Sequence, residues 1–431
     1  MSDETLTREA IEAVWRVESA RLLGGLVRLV HDLDVAEDLA QEALVTAIER
    51  WPQTGVPDNP GAWLMATAKN RAIDQLRRHS MLERAHGIMQ GDATTDAANH
   101  DVATRIDENV GDELLRLILI ACHPVLSKEA RVALTLRLLG GLTTDEIARA
   151  FLVPESTIAQ RIVRAKRTLA EAHVPFEIPR GEDLANRLPS VLEVIYLTFN
   201  EGYAATRGAD WVRLELCEEA LRLGRILAEL VPGDAEVHGL VALMELQSSR
   251  ARARVGPSGE PILLLDQDRS RWDHLLVRRG LAALNRAEAL ASPLGPYAIQ
   301  AAIAACHARA RTAEETDWNR IVALYDALVE ITQSPVVELN RAVAVGMAFG
   351  PASALELVDA LNDEPALREY HLLPSVRGDL LRKLGRVDEA RQEFERAAGM
   401  ARNARERTLL LMRVRECVGE SSAVLRDSTD S

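Results

Sequence analysis

The chain has 431 residues, of which 47% are hydrophobic and only 4% are aromatic, and its formal net charge at pH 7 is -14. Such a chain can bury the cores of about two to four domains, which excludes a disordered tail protein. The acidic balance excludes non-specific nucleic-acid binding by the whole surface, so any contact with DNA requires a local basic face or a partner. Few aromatic residues, with Ala, Leu, Arg and Glu recurring at helical spacing, predict an all-α fold.

The chain lacks membrane and targeting signals. No apolar run approaches the roughly 18 to 20 residues of a membrane span, and the first residues, MSDETLTREA, lack a basic segment followed by an apolar one. We therefore expect a cytoplasmic protein with no membrane contact.

Its cysteines are far apart and form no C-x-x-C pair, which predicts buried free thiols, no metal and no cofactor. These cysteines are Cys122, Cys217, Cys306 and Cys417.

Interruptions of the helical pattern divide the chain into segments. The stretch Gly87–Glu113 carries seven carboxylates against Arg105 alone, which is typical of a flexible linker. Near the end, pairs of helices recur about every 34 residues, a period that resembles tetratricopeptide repeats. We predict a helical domain at 1–86, an acidic linker at 87–111, a second helical domain at 112–175, a helical extension at 176–290, tetratricopeptide-like repeats at 291–418 and a disordered tail at 419–431.

The first domain contains an acidic helix face. In DVAEDLAQEALVTAIERW, residues 34–51, helical spacing places Asp38, Glu42 and Glu49 along one side. This stripe would repel DNA, so it fits a protein partner with a basic or polar groove. A face that is merely solvated explains the spacing equally well.

The next helix, in NPGAWLMATAKNRAIDQLRR at 59–78, carries a tryptophan on its basic face. A core stripe of Met65, Ala68, Ala72 and Leu76 leaves Trp63 on the opposite side. Stacking against an unpaired base would explain a tryptophan there, because every base offers a π-face and neighbouring arginines can hold the backbone. Alternatively, the loop PQTGVPDNP or another domain covers the ring.

The segment LTTDEIARAFLVPESTIAQRIVRAKRTL, residues 142–169, predicts a helix-turn-helix. Thr143 and Glu146 form a capping box that starts the first helix, and Pro154 ends it, so that the second begins near Ser156. Ile158, Ile162, Ala165 and Leu169 then form the buried stripe of the second helix.

The opposite face of that second helix is basic. It would lie in a major groove, with arginines at phosphates or guanine edges and Gln160 at adenine. The alternative is an ordinary surface helix with a solvated basic face. The outward residues are Ser156, Thr157, Gln160, Val163, Arg164 and Arg167, flanked by Arg161 and Lys166.

In this order the three motifs resemble a sigma factor of the sigma-70 class, of the extracytoplasmic-function type that keeps two domains. The resemblance covers about residues 10–175. It implies that 34–51 docks on core RNA polymerase, that 62–78 melts and recognises the minus-ten promoter element, and that 142–169 reads the minus-thirty-five element.

The resemblance also assigns residues to each partner. It implies polymerase contact by Asp34, Glu37, Asp38, Leu39, Gln41 and Glu42. It implies contact with the minus-ten element by Trp63, Lys69, Asn70, Arg71, Asp74, Arg77 and Arg78. It implies contact with the minus-thirty-five element by Ser156, Thr157, Gln160, Arg161, Arg164, Lys166 and Arg167.

The chain continues far beyond the minimal members of this type, and the whole of it resembles the subgroup with a tetratricopeptide-like extension. Two segments carry this likeness, FNEGYAAT from Phe199 and ILLLDQDRSRWD from Ile262. The second concentrates charge, either as a metal-binding Asp pair or as a buried ion-pair and hydrogen-bond cluster that fixes the fold. Since no His or third ligand stands at ligand spacing, we favour the structural cluster. Its residues are Asp266, Asp268, Arg269, Arg271, Trp272 and Asp273.

We therefore expect a sigma factor that brings core polymerase to promoter DNA and assists strand opening. No glycine-rich phosphate loop and no nucleophile with a plausible base occurs, so we expect no enzymatic activity. The extension would regulate the two sigma domains in cis or bind a signal protein. The alternative is a helical-repeat interaction scaffold or regulator whose sigma-like half binds DNA.

Overall fold

The computed structural model describes residues 3–85, 110–151, 153–179, 181–203, 214–256, 262–401 and 403–429. Within these ranges the secondary structure is helical and contains no β-strand, which confirms the all-α prediction. The predicted linker at 87–111 falls almost wholly outside the described residues.

The chain forms two compact units, Met1–Leu197 and Thr198–Ser431. We call them the first unit and the second unit. The helices that begin in the first unit are α1 (Asp3–Val30), α2 (Leu33–Thr54), α3 (Pro60–Ala85), α4 (Val110–Ala121), α5 (Lys128–Leu138), α6 (Thr144–Phe151), α7 (Glu155–Glu171) and α8 (Glu182–Tyr203).

Helices α1, α2 and α3 pack against one another at the start of the first unit. His31 takes a left-handed φ of 52°, and Asp32 then caps α2 by accepting a hydrogen bond from the Val35 N–H at 3.0 Å. Glycines allow α1 to approach its neighbours closely. A Cβ on Gly24 would lie 2.5 Å from the Glu113 carbonyl oxygen, so α1 and α4 are in backbone contact.

Helix α8 is fastened to the preceding bundle by Arg131 of α5. The buried Arg131 guanidinium donates to the Ser190 hydroxyl and, at 3.1 Å, to a carboxylate oxygen of Glu193. Ser190 in turn donates to the Cys122 carbonyl at 2.6 Å, and Lys128 pairs with Glu193 at 2.5 Å. The beginning of α8 therefore belongs to the core of the first unit.

The second unit is a succession of helices in which each one packs against the next in the chain. Short 3-10 turns lie at Ala251–Ala253, Leu264–Asp266, Arg269–Arg271 and Pro365–Leu367. The α-helices are α9 (Leu214–Leu230), α10 (Ala235–Ser248), α11 (His274–Leu290), α12 (Pro296–Arg309), α13 (Trp318–Thr332), α14 (Pro335–Phe349), α15 (Pro351–Ala360), α16 (Leu372–Lys383), α17 (Val387–Met400) and α18 (Ala404–Thr429).

Close packing of α16 and α17 depends on two glycines. A Cβ on Gly378 would lie 2.9 Å from the ring of Phe394, which is fully buried. Gly385 joins the two helices with a φ of +78°, a conformation that favours glycine. Helix α18 continues to Thr429, into the segment where we expected a disordered tail.

All four cysteines are buried and free, which confirms that prediction. Burial raises the pKa of Cys122 and of Cys217 to about 12, despite the opposing influence of nearby hydrogen bonds and arginines. These thiols therefore remain protonated and unreactive in the folded protein.

Candidate nucleic-acid interface

Helices α6 and α7 form the predicted helix-turn-helix. The Thr143 N–H donates to a Glu146 carboxylate oxygen at 2.7 Å, and the Glu146 N–H donates to the Thr143 hydroxyl at 3.2 Å. This reciprocal pair is the capping box expected from the sequence. Pro154 separates the two helices, and α7 begins at Glu155, one residue before the predicted start.

The orientation of α7 is fixed by its buried stripe. Ile158, Ile162, Ala165 and Leu169 are buried, as their spacing predicts. The opposite face is open to solvent, with Gln160, Arg164 and Arg167 exposed. Ser156 on this face is also exposed, whereas Thr157 and Arg161 are half-buried. From Ser156 to Arg167 this face is about 17 Å long at a rise of 1.5 Å per residue, a length that fits a major groove.

Arg167 makes one ion pair, with Glu171 one turn further along α7 at 2.6 Å. The hydrogen bond and the charge of Glu171 raise the pKa of Arg167. The Arg167 side chain is 77% exposed, so this pair is a weak surface contact that a phosphate can replace.

Lys166, in contrast, turns away from the exposed face. Its ammonium lies 2.6 Å from a carboxylate oxygen of Asp34 and 3.1 Å from one of Glu37, and its side chain is only 12% exposed. Burial alone would lower the pKa of Lys166, but the hydrogen bonds and charges of the two carboxylates outweigh it and the pKa is raised. The structure thus joins a residue assigned to the minus-thirty-five element with two residues assigned to polymerase.

A groove runs beside this contact. It has a volume of about 300 Å³ and is open to solvent between the start of α2 and the end of α7. Both Asp34 and Lys166 line it, together with His31, His173 and Phe176. The His31 and Phe176 rings lie with their centroids 6.1 Å apart and their planes tilted by 43°.

The remaining residues assigned to polymerase divide between surface and core. Asp38, Gln41 and Glu42 are exposed on α2. Leu39 is 3% exposed and packs in the core, so it does not share their surface. Glu42 pairs with Arg71 of α3 at 2.6 Å, and the same guanidinium donates to the Thr46 hydroxyl at 2.7 Å.

On α3, Trp63 is half-buried and not free to solvent. Its ring meets the buried Trp51 ring edge-on, with centroids 5.4 Å apart and planes at 66°. One of the two interpretations of the sequence is that neighbouring protein covers the Trp63 ring. The structure shows such a cover on one side of the ring, where Trp51 lies. Asn70 and Asp74 are exposed and Lys69 is half-buried. The side chains of the other two residues assigned to this helix, Arg77 and Arg78, lie outside the described set.

In the second unit, the acidic residues of the DQDRSRWD segment act as caps. Asp268 accepts hydrogen bonds from the Ser270 N–H at 3.0 Å and its hydroxyl at 2.7 Å, and Asp273 caps α11 through the N–H groups of Leu275 and Leu276. Asp266 is exposed. The part of the chain that the structure describes contains no cluster of His, Cys, Asp and Glu able to hold a metal ion.

The basic residues of this segment do not pair with those acids, contrary to the ion pairs that we expected. Arg269 donates to the His307 and Ala310 carbonyls at 2.6 Å and 2.7 Å, and to the Thr316 hydroxyl at 3.2 Å. Arg271 is exposed and Trp272 is buried. The cluster fixes the fold as a set of caps and hydrogen bonds, because the carboxylates of Asp268 and Asp273 are already used by backbone turns.

Some important residues carry no clear signal in the sequence. Arg131 lies among apolar residues of α5, and its partners are about 60 positions away. Arg250 and Arg254 surround Tyr203, and only the alternation of arginines in SRARARV marks them.

No helix among the described residues is long and apolar enough to cross a membrane.

Three family models match the chain. Sigma-70 region 2 matches residues 16–81, sigma-70 region 4 matches residues 116–169, and a family of unknown function, DUF6596, matches residues 187–288.

The similar proteins fall into two groups. An uncharacterised protein of Rhizobium meliloti is 44% identical over 94% of this chain and 95% of its own length. The RNA polymerase sigma-H factor of Pseudomonas aeruginosa is 30% identical over 36% of this chain and 81% of its own length. The probable ECF RNA polymerase sigma factor SigI of Mycobacterium tuberculosis is 29% identical over 38% of this chain, and the chain spans 56% of that protein.

The matched ranges coincide with the helices that carry the acidic face, the Trp63 face and the helix-turn-helix. The chain belongs to the sigma-70 family of RNA polymerase sigma factors and is of the ECF type. To the two sigma regions it adds a helical C-terminal extension.

Proposed function

We propose that the chain directs core RNA polymerase to specific promoters and assists strand opening, without catalysing a reaction itself. The observation that carries the proposal is the geometry of α7. A capping box and a buried stripe hold this helix so that Gln160, Arg164 and Arg167 project together from one exposed face. This is the arrangement that a helix needs to read a major groove, here that of the minus-thirty-five element.

For the minus-ten element we propose α3 as the reader. Asn70 and Asp74 are exposed on the same helix as Trp63, whose ring is covered on one side by Trp51. We propose that the side of the ring away from Trp51 stacks on an unpaired base. We propose that the exposed acids of α2, with Asp38 and Glu42 among them, contact core polymerase.

The Lys166 contact bears on both activities. While Lys166 binds Asp34 and Glu37, its ammonium is shielded from other partners, because the Lys166 side chain is only 12% exposed. Use of these residues by DNA or by polymerase therefore requires this contact to open. In the free protein, part of the proposed DNA-binding surface and part of the proposed polymerase-binding surface thus bind each other.

The groove assignment is tested by replacing Arg164→Ala and Arg167→Ala together. We expect transcription from a cognate promoter to be lost while the affinity for core polymerase is unchanged, because each arginine contact is worth about 1–3 kcal/mol. The matched control replaces Arg386→Ala and Arg391→Ala, two arginines of the second unit that pair with neighbouring carboxylates on helix surfaces. The control should transcribe normally.

The two measurements separate the outcomes. Run-off transcription with purified core polymerase reports promoter use, and co-purification with core polymerase reports docking. If the double variant at α7 also loses polymerase binding, α7 is not a dedicated DNA reader. If it transcribes like the control, the exposed face of α7 has no role in promoter recognition.

For the extension we propose regulation in cis within the cytoplasm, in which one face of the tetratricopeptide-like repeats predicted at 291–418 binds the sigma domains or a signal protein. The support is the nearest-neighbour packing of α10 to α18. A truncation after Leu197 tests this proposal and keeps Ser190 and Glu193, which Arg131 needs. Promoter activity equal to that of the full chain would contradict regulation by the extension.

A further inference from the structure

Arginines gather around two aromatic rings in the second unit. The Arg254 guanidinium carbon lies 3.6 Å from the centroid of the Tyr203 ring, and that of Arg250 lies 5.9 Å from it. Arg250 also lies 5.8 Å from the Trp272 ring, on which Arg269 sits at 5.1 Å. Three cations therefore share two neighbouring rings, and all five residues belong to the FNEGYAAT, SRARARV and DQDRSRWD segments, which lie outside the sigma regions.

Two of the arginines have structural partners. Arg254 donates to the Tyr203 carbonyl, and Arg269 donates to the His307 and Ala310 carbonyls and to Thr316. Neutral acceptors satisfy these donors but do not cancel their charge. The pKa of Arg269 is accordingly lowered by burial and by the charge of Arg250, and the more distant carboxylates of Glu314 and Glu315 offset this only in part.

Arg250 is the arginine with free donors. Its Nη2 donates to the Tyr203 hydroxyl at 2.7 Å and to the Gln247 side chain. Within the described part of the chain, its Nε and Nη1 make no hydrogen bond and it forms no ion pair with a carboxylate. A half-buried guanidinium with two unused donors and two cationic neighbours favours a negative ligand.

Beside Arg250 and Arg269, two buried ring nitrogens also lack hydrogen-bond partners among the described residues. Trp272 is 5% exposed and its Nε1 makes no hydrogen bond, and the same holds for Nδ1 of His307, which is 8% exposed. Such atoms cost about 1–3 kcal/mol each when they remain unpaired in a folded protein. Burial and the charges of Arg250 and Arg269 lower the pKa of His307 to about 4, so its ring is neutral at pH 7.

We propose that Arg250, Trp272 and His307 form a binding site for the oxyanion group of a small molecule, a phosphate or a carboxylate. The guanidinium supplies its Nε and Nη1 donors, the indole supplies one donor, and the positive charge of the neighbouring arginines attracts the anion. Tyr203, Arg250, Trp272 and Arg269 lie within the range matched by the family of unknown function. The proposal does not depend on promoter recognition, because it concerns binding to the free chain.

The test is isothermal titration calorimetry of the full-length chain with inorganic phosphate and, separately, with acetate at constant ionic strength. We expect saturable binding of one anion per chain, and the anion that binds identifies the group. Arg250→Gln should weaken binding at least about tenfold, since a charge-assisted hydrogen bond is worth about 1.5–3 kcal/mol. Arg386→Ala, which removes an exposed arginine paired with Glu389, should bind like the unaltered chain.

Trp272→Phe provides a second variant should Arg250→Gln fail to fold. It keeps the ring but removes the Nε1 donor, so the affinity should fall about fivefold while the circular dichroism spectrum stays unchanged. In addition, a bound anion should raise the pKa of His307, measured from its imidazole proton resonance, because it offsets the adjacent positive charge. Absence of saturable binding by both anions would overturn the proposal, and so would equal affinity of both variants and the unaltered chain.

Discussion

Glu37→Gln tests whether the free protein restrains its own DNA-reading helix. In the folded chain Glu37 holds the Lys166 ammonium at 3.1 Å, and both side chains are largely buried, at 21% and 12% exposed. The substitution keeps the shape of the side chain and leaves Lys166 itself available to DNA. It removes only the carboxylate charge that holds the lysine.

The magnitude follows from burial. An exposed ion pair contributes about 0–1 kcal/mol, whereas a hydrogen bond between charged groups shielded from water contributes about 1.5–3 kcal/mol. Asp34 remains bound to Lys166 at 2.6 Å in the variant, but its side chain is 71% exposed and holds the lysine weakly. Because the glutamine oxygen can still accept a hydrogen bond from Lys166, only part of this energy is lost; we expect a loss of about 1 kcal/mol, which increases the open population about fivefold.

Fluorescence anisotropy with a labelled minus-thirty-five duplex measures the result on the full-length chain without polymerase. The affinity of Glu37→Gln for this duplex should rise about fivefold, as the apparent affinity scales with the open fraction. Asp38→Asn is the matched control, because Asp38 is an exposed acid of the same helix that does not contact Lys166. If both variants gain the same affinity for the duplex, the effect is due to net charge alone. If Glu37→Gln gains no affinity, Lys166 is not restrained by this contact.

Further outcomes follow from the second unit and the thiols. The pKa of His307 is about 4 in the folded chain against its ordinary 6.5, so between these pH values the unfolded chain binds more protons than the folded chain. The free energy of unfolding, measured by urea titration, should therefore fall by about 2–3 kcal/mol from pH 6.5 to pH 4. His307→Gln should flatten this pH dependence. Gly378→Ala should destabilise by about 1–3 kcal/mol through its clash with Phe394, whereas Gly399→Ala, with open space around it, should stabilise by about 0.5 kcal/mol in thermal melts. Cys122 and the other buried thiols should resist alkylation at pH 8 until denaturant is added, and rapid labelling of the folded chain would contradict their burial.

Local features of the DNA-reading helix could be predicted from the sequence because they depend on residues close together in the chain. The capping box needs only Thr143 and Glu146, and the buried stripe needs only the helical period from Ile158 to Leu169. Short-range rules decide both before any tertiary contact forms. The break at Pro154 has the same origin, since proline cannot continue the preceding helix.

Contacts between distant segments could not be predicted in this way. Lys166 and Asp34 are 132 positions apart, and the helical period alone placed the lysine beside the outward face. The partner of the Trp63 ring proved to be Trp51, at the other end of a loop. Spacing within one helix defines its faces but does not reveal what covers them, which depends on packing between elements.

The ion pairs that Lys166 and Arg71 make with acidic residues of α2 follow a common logic. Lys166 binds Asp34 and Glu37, and Arg71 binds Glu42, so basic residues that we assign to DNA neutralise acidic residues that we assign to polymerase. Whatever binds the acids of α2 then releases cations for DNA, and DNA that binds those cations releases the acids. Linkage makes this coupling reciprocal, so promoter DNA should raise the affinity for core polymerase by the same factor as polymerase raises the affinity for DNA. The Lys166 contact dominates the coupling, since it is the buried pair, whereas Arg71 and Glu42 are 39% and 57% exposed and screened by solvent.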